Sequence, residues 1–102
     1  MSGIHAGKVF VVTGGSRGIG EAIVRRLCAE GAKVHTTYHS SPERAEAITA
    51  EIVAGGGSVV FHKTDVSSEA DINALIDAVV AADQKIDGLV NNAGITKDGL
   101  IM

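Results

Sequence analysis

The stretch Thr13-Gly14-Gly15-Ser16-Arg17-Gly18-Ile19-Gly20 has residue types and spacing that could do chemistry. Glycines let backbone N–H groups face a ligand, and a helix that starts immediately afterwards adds unpaired donors and partial positive charge. That combination suits phosphate. Glycines also simply make tight turns, so the string gains weight only from its context: an apolar strand-like run before it and a helical pattern after it. Gly18-Ile19-Gly20 lacks the Gly-Lys-Ser/Thr ending of a triphosphate-binding loop. Nor is it the ordinary G-x-G-x-x-G of dinucleotide sites, because three residues separate Gly14 from Gly18. Arg17 can offer a planar fork of donors to a phosphate, or it can be a solvated turn residue.

About 20 residues beyond such a turn, at the tip of the second strand, dinucleotide folds place an acid that takes the ribose 2′-hydroxyl of NAD. No acid occurs here between Glu30 and Glu43; the positions hold Tyr38, His39, Ser40 and Ser41. Donors in place of an acid, together with Arg17, favour a 2′-phosphate and hence NADP(H) over NAD. Other reactive side chains offer less. His35 and His39 are four apart in a strand, about 13 Å, too far for one metal ion. His5 and His62 have no evident partner in the sequence, and Cys28 falls mid-helix beside an apolar stripe, where it reads as a small inert hydrophobe. No metal site and no self-contained catalytic site emerge.

The elements that must position these groups alternate. Lys8 to Thr13 is a β-branched run without polar alternation, as in a parallel strand covered on both faces. From Ile19 the period changes, with Ile19, Ala22, Ile23 and Leu27 on one helical stripe and Gly31 as its stop. A strand over Lys33–Tyr38 leads through Ser40-Ser41-Pro42 into a helix that halts in Gly55-Gly56-Gly57. A third strand spans Ser58–Thr64, Ser67 or Ser68 caps a third helix, and Gly88–Asn91 forms a fourth strand. Short connections between alternating elements predict parallel strands with right-handed crossovers. The fold class is α/β: a Rossmann-type, three-layer βαβαβαβ unit in one domain, 1–102.

Composition narrows the function classes. Net charge is −3, so electrostatics give no case for nucleic acid or an anionic membrane. Aromatics are 3% of the chain, too few for a base-stacking platform. No apolar run approaches the ~20 residues of a membrane span. The N-terminus lacks a secretory pattern and the single cysteine forms no internal disulfide, so the expected location is the cytoplasm.

Three motifs, in order and on the right elements, resemble the short-chain dehydrogenase/reductase family: Thr13-Gly-x-x-x-Gly-x-Gly20, Asp65-Val66 after the third strand, and Asn91-Asn92-Ala93-Gly94 after the fourth. The run Asn91–Leu100 looks most like 3-oxoacyl-(acyl-carrier-protein) reductases and the nearby acetoacetyl-CoA reductases. The resemblance implies a sheet in the order 3-2-1-4 and NADP(H) held by Gly14, Ser16, Arg17, Gly18, Ile19, Gly20, Tyr38, His39, Ser40, Asp65, Val66, Asn92, Ala93 and Gly94. In the family, the residue at Asp65 accepts from the adenine amino group and the N–H of the next residue meets the ring. Read from the sequence alone, Asp65 is equally a turn or cap residue.

The family's hydride transfer to a ketone uses a Ser, a Tyr and a Lys four residues after the Tyr. Here the single tyrosine is Tyr38 and position 42 is Pro42, so residues 1–102 hold no such pair. The family places these groups, and the second half of its fold, later than residue 102. The expected function is therefore the cofactor-binding portion of a ketoreductase, inactive by itself. The alternative is a non-catalytic nucleotide-binding or self-associating module. With the fold cut before its second half, self-association is expected through the Leu89-Val90-Asn91 edge or an uncovered sheet face.

Overall fold

The computed structural model describes residues 6–16 and 18–90. Its elements follow in the order β1 (Val9–Val12), α1 (Gly18–Ala29), β2 (Lys33–Tyr38), α2 (Pro42–Ala54), β3 (Ser58–Lys63), α3 (Glu69–Asp83) and β4 (Gly88–Val90). The four strands form one parallel sheet in the order β3-β2-β1-β4. Register places Val12 beside Thr36 and Val90, and Tyr38 beside Lys63. The carboxyl ends of β1, β2 and β3 therefore lie side by side.

Alternation along β1 divides the core between two faces. Val12 packs with Val24 and Cys28 of α1, Val34 of β2 and Ile48 and Ile52 of α2; Phe10 packs against the same cluster. Val9 and Val11 point the other way and pack with Leu75 and Val79 of α3. This is the three-layer arrangement the alternating elements predict, with two helices on one face and α3 on the other.

The buried stripe of α1 differs from the sequence expectation. Gly20, Val24 and Cys28 are its buried positions, one on each turn, while Ala22 is exposed and Ile19 is 73% exposed. Ile23 and Leu27 flank the core only partly buried. The buried stripe is shifted by one residue, from Ile19, Ile23 and Leu27 to Gly20, Val24 and Cys28, and places two small side chains, Gly20 and Cys28, against the core. Gly31 does stop this helix, at φ 95°. Ser41 stands at the N-cap of α2 without a side-chain cap bond, and Pro42 fills the first turn. Ser68 caps α3 by accepting from the Asp71 N–H at 3.2 Å. Among the described residues β4 pairs only with β1, and its Leu89 is 60% exposed.

Candidate functional site

A cleft of about 460 Å³ opens at the carboxyl ends of β1, β2 and β3. One wall is the glycine turn, with Gly14 and Ser16; the second is the β2–α2 connection, with Tyr38, His39, Ser40 and Ser41; the floor and third wall come from Thr37, Thr64, Asp65, Val66 and Ser67. Ligands of open parallel sheets bind at this end of the strands, and the volume falls in the range of small-molecule sites. The structure thus brings Gly14, Ser16, Tyr38, His39, Ser40, Asp65 and Val66 into one place, from three segments up to 52 residues apart in the chain.

Gly18, Ile19 and Gly20 form the first turn of α1 rather than the cleft's lining. Arg17, Asn92, Ala93 and Gly94 lie outside the described residues, as do Asn91 and His5.

The glycines of the turn have separate tasks. Gly14 and Gly18 have φ of 75° and 61°, the left-handed region that other residues enter at a cost. Gly15 is required for space: a Cβ there would sit 2.2 Å from Thr36 Oγ1 and 2.8 Å from Val24 Cγ2. Sequence reasoning did not single out Gly15, because the partner that forbids a side chain comes from β2. Nor are all the turn's amides turned to a ligand. The Gly14 N–H donates to Thr37 Oγ1 at 2.8 Å, so it is committed to holding the turn against β2. Thr36, on the other side of the strand, donates from Oγ1 to the Val12 carbonyl at 2.5 Å. Two adjacent threonines of β2 therefore brace the strand and turn from opposite faces.

Asp65 is organised as a turn. Its Oδ1 accepts from Ser67 Oγ at 2.6 Å and from the Ser67 N–H at 2.9 Å, while its own N–H donates to Asp71 Oδ2 at 3.0 Å. The two bonds from Ser67, with a smaller contribution from His39, hold the Asp65 carboxyl below the ordinary carboxylate range. It is the one carboxylate among the described residues lining the cleft, and it stands at the β3 wall rather than at the tip of β2.

The histidines require a correction. His62 does have a partner: its Nε2 lies 2.9 Å from His35 Nδ1, and the rings stack with centroids 5.2 Å apart. His35 Nε2 in turn meets Asp83 Oδ2 at 2.5 Å, and Lys33 Nζ donates to Asp83 Oδ1 at 2.9 Å. The bonds from His35 and Lys33 hold the Asp83 carboxyl below the ordinary carboxylate range. Burial, and secondarily His35, push the His62 pKa down. Parallel register aligns His35 with Val60 and Thr37 with His62, which places both rings on the sheet face of α3. No sequence motif announces this chain, since its members come from β2, β3 and the end of α3. Among the described residues no group of three or more His, Cys, Asp or Glu side chains is placed so that it could hold a metal ion, and no helix is long and apolar enough to cross a membrane. Cys28 is buried, donates to the Ser58 carbonyl at 3.4 Å, and has its thiol pKa raised to about 11 by burial.

A parallel sheet in this order, with a glycine turn feeding α1 and an Asx-turn acid after β3, defines an α/β protein of Rossmann type. The short chain dehydrogenase family model matches residues 8–102, and the chain belongs to that family. It is 42% identical, over 93% of its length, to the 3-oxoacyl-[acyl-carrier-protein] reductase of Synechocystis, of which it covers 38%. A dehydrogenase/reductase from Sinorhizobium meliloti superposes with a TM-score of 0.84 at 48% identity, over 88% of this chain and 36% of that one. A short chain dehydrogenase from Burkholderia cenocepacia in complex with NADP superposes with a TM-score of 0.83 at 43% identity, over 96% and 42%. The chain thus spans about two-fifths of the length of these relatives.

Proposed function

We propose that residues 1–102 are the NADP(H)-binding unit of a short-chain dehydrogenase/reductase. The observation that carries this reading is the content of the cleft: hydroxyls and an imidazole at the tip of β2, where NAD sites place an acid. Tyr38, His39 and Ser40, with Arg17 from the glycine turn, would hold the 2′-phosphate. Asp65 would accept from the adenine amino group while Val66 offers its N–H to the ring. Ser16, Gly18, Ile19 and Gly20 would face the pyrophosphate at the start of α1, where partial positive charge favours it. Because Gly14 gives its N–H to Thr37, its part is to shape the turn. Asn92, Ala93 and Gly94 would border the ribose and nicotinamide. Similarity to the Burkholderia dehydrogenase, which was crystallised with NADP, supports the cofactor.

When bound, the nicotinamide supplies a hydride. Likeness to the Synechocystis reductase supports a 3-oxoacyl thioester or a similar ketone as the acceptor. Residues 1–102 hold no Tyr-x-x-x-Lys pair, so protonation of the ketone would fall to the part of the fold that this chain does not cover. We further propose self-association, through the β4 edge, where Leu89 stands exposed, or through an uncovered sheet face.

Titration of the chain with NADPH and NADH, read by nicotinamide fluorescence, tests the central reading. NADPH should bind at least ~10-fold more tightly, and Arg17→Ala should erase most of that preference. Equal affinities, or no binding of either, would refute it. Reduction of acetoacetyl-CoA by the chain alone would refute its catalytic incompleteness.

A further inference from the structure

Two walls of the cleft, the glycine turn and the segment leading into α2, are joined by a single guanidinium. Arg44, in the first turn of α2, donates from Nε to the Ser16 carbonyl at 2.8 Å and from Nη2 to the Glu21 carboxylate on α1. The other oxygen of Glu21 accepts from Arg25 Nε at 2.9 Å, and Arg25 Nη2 reaches Glu51 of α2 at 2.6 Å. Glu21 is mostly buried, at 16% side-chain exposure, and these two arginines hold its carboxyl below the ordinary range. Ser16 lines the cleft; Arg44 does not.

We infer that Arg44 is a positioning residue for the cofactor: it fixes the Ser16 carbonyl, and thereby the glycine turn, relative to the Tyr38–Ser41 wall, with Glu21 orienting its fork. The inference rests on the proposed dinucleotide site and adds to it a residue that touches no ligand. The Arg44 side of this pair is half exposed, at 51%, and ion pairs open to solvent stabilise proteins little, so Arg44 matters less for folding than for geometry. A guanidinium is suited to the task because its planar fork serves carbonyl and carboxylate together, whereas an ammonium on a flexible stem cannot hold both in one orientation. Arg25 provides the internal comparison. It belongs to the same network and ties the same two helices, but makes no bond to the turn.

The experiment compares Arg44→Met, Arg44→Lys and Arg25→Met, each titrated with NADPH and NADH by fluorescence and checked by urea unfolding. Arg44→Met should weaken both cofactors by the same factor, roughly five- to tenfold, because the turn serves the pyrophosphate they share. Arg44→Lys should remain weakened, and Arg25→Met should leave both affinities within about twofold at a similar unfolding midpoint. Loss confined to NADPH would overturn the inference by making Arg44 a direct 2′-phosphate ligand. Unchanged binding in Arg44→Met, full recovery in Arg44→Lys, or an equal loss in Arg25→Met would overturn it as well. If the parent chain bound neither cofactor, the proposed function itself would fail, a result separate from any of these.

Discussion

Gly15→Ala should be among the most destabilising single-methyl additions available to this chain. The new Cβ would lie 2.2 Å from Thr36 Oγ1, 2.8 Å from Val24 Cγ2 and 3.0 Å from Thr36 Cβ, and Thr36 and Val24 are both fully buried. Neither neighbour can yield cheaply. Val24 is β-branched in a helix, with one strongly preferred rotamer, and turning the Thr36 hydroxyl away breaks its bond to the Val12 carbonyl. Overpacking costs about 1–3 kcal/mol and the lost hydrogen bond about 1 kcal/mol, so the expected loss is about 2–4 kcal/mol. That corresponds to a fall in Tm of roughly 10–20 °C for a domain of this size. Urea and thermal unfolding followed by circular dichroism would measure it. Thr36→Ala alone should cost about 1–2 kcal/mol through the lost bond and methyl burial. Because it removes the nearest clashing atom, the double variant should lose at least about 1 kcal/mol less than the sum of the singles. Strict additivity would refute the steric argument, as would a Gly15→Ala loss under about 0.5 kcal/mol. Gly18→Ala is the control: its Cβ would meet nothing within 4 Å, but φ is 61°, so its cost of about 1–2 kcal/mol should not depend on Thr36.

Other consequences follow from the buried polar groups. Cys28, buried and with its thiol pKa near 11, should resist thiol reagents at pH 8 in the folded chain and react at the rate of unfolding; rapid stoichiometric labelling of the native state would contradict this. Burial lowers the His62 pKa in the folded state, so its share of stability is complete above its ordinary value of 6.5 and is lost as pH falls from there toward its lowered folded value. Asp83 adds a second loss, below its ordinary 3.8, as its lowered folded value is passed. Unfolding free energy measured across pH 3–8 should show both limbs, and His62→Gln should flatten only the upper one. Ser68→Ala, which removes the cap on α3, should cost about 1 kcal/mol in urea unfolding.

The order of elements was legible because each local signal agreed with the fold. The non-alternating Lys8–Thr13 run, the stops at Gly31 and Gly55–Gly57, and the Ser68 cap all mark boundaries through the chain's own chemistry. The cleft was legible for the same reason, since its walls are short segments at strand ends whose residue types already announce polar work. What escaped notice depends on contacts between segments. Gly15 looks like any turn glycine until Thr36 is beside it. His62 looks unpartnered until register in a parallel sheet brings it to His35, 27 residues away. The buried stripe of α1 lies one residue further along than Ile19, Ile23 and Leu27, because contact with the sheet selects Gly20, Val24 and Cys28, and that contact is not written in the helix's own periodicity.

These three cases share a cause that bears on the site. In a parallel sheet every neighbouring strand is reached through a helix, so the partners that fix a strand's end are always distant in sequence. The glycine turn is accordingly held by residues with no motif of their own: Thr36 and Thr37 from β2 on its strand side, and Arg44 from α2 on its outer side. On the proposed function, the motif would supply the backbone shape for a phosphate, and these partners would hold that shape in place. Substitutions at Thr37 should therefore act on cofactor affinity as strongly as substitutions within the turn. Thr37→Val, which keeps the shape of the side chain and removes the Oγ1 that accepts from the Gly14 N–H, should lower NADPH affinity roughly fivefold or more. An unchanged affinity in that variant would show that the turn keeps its conformation without help from β2.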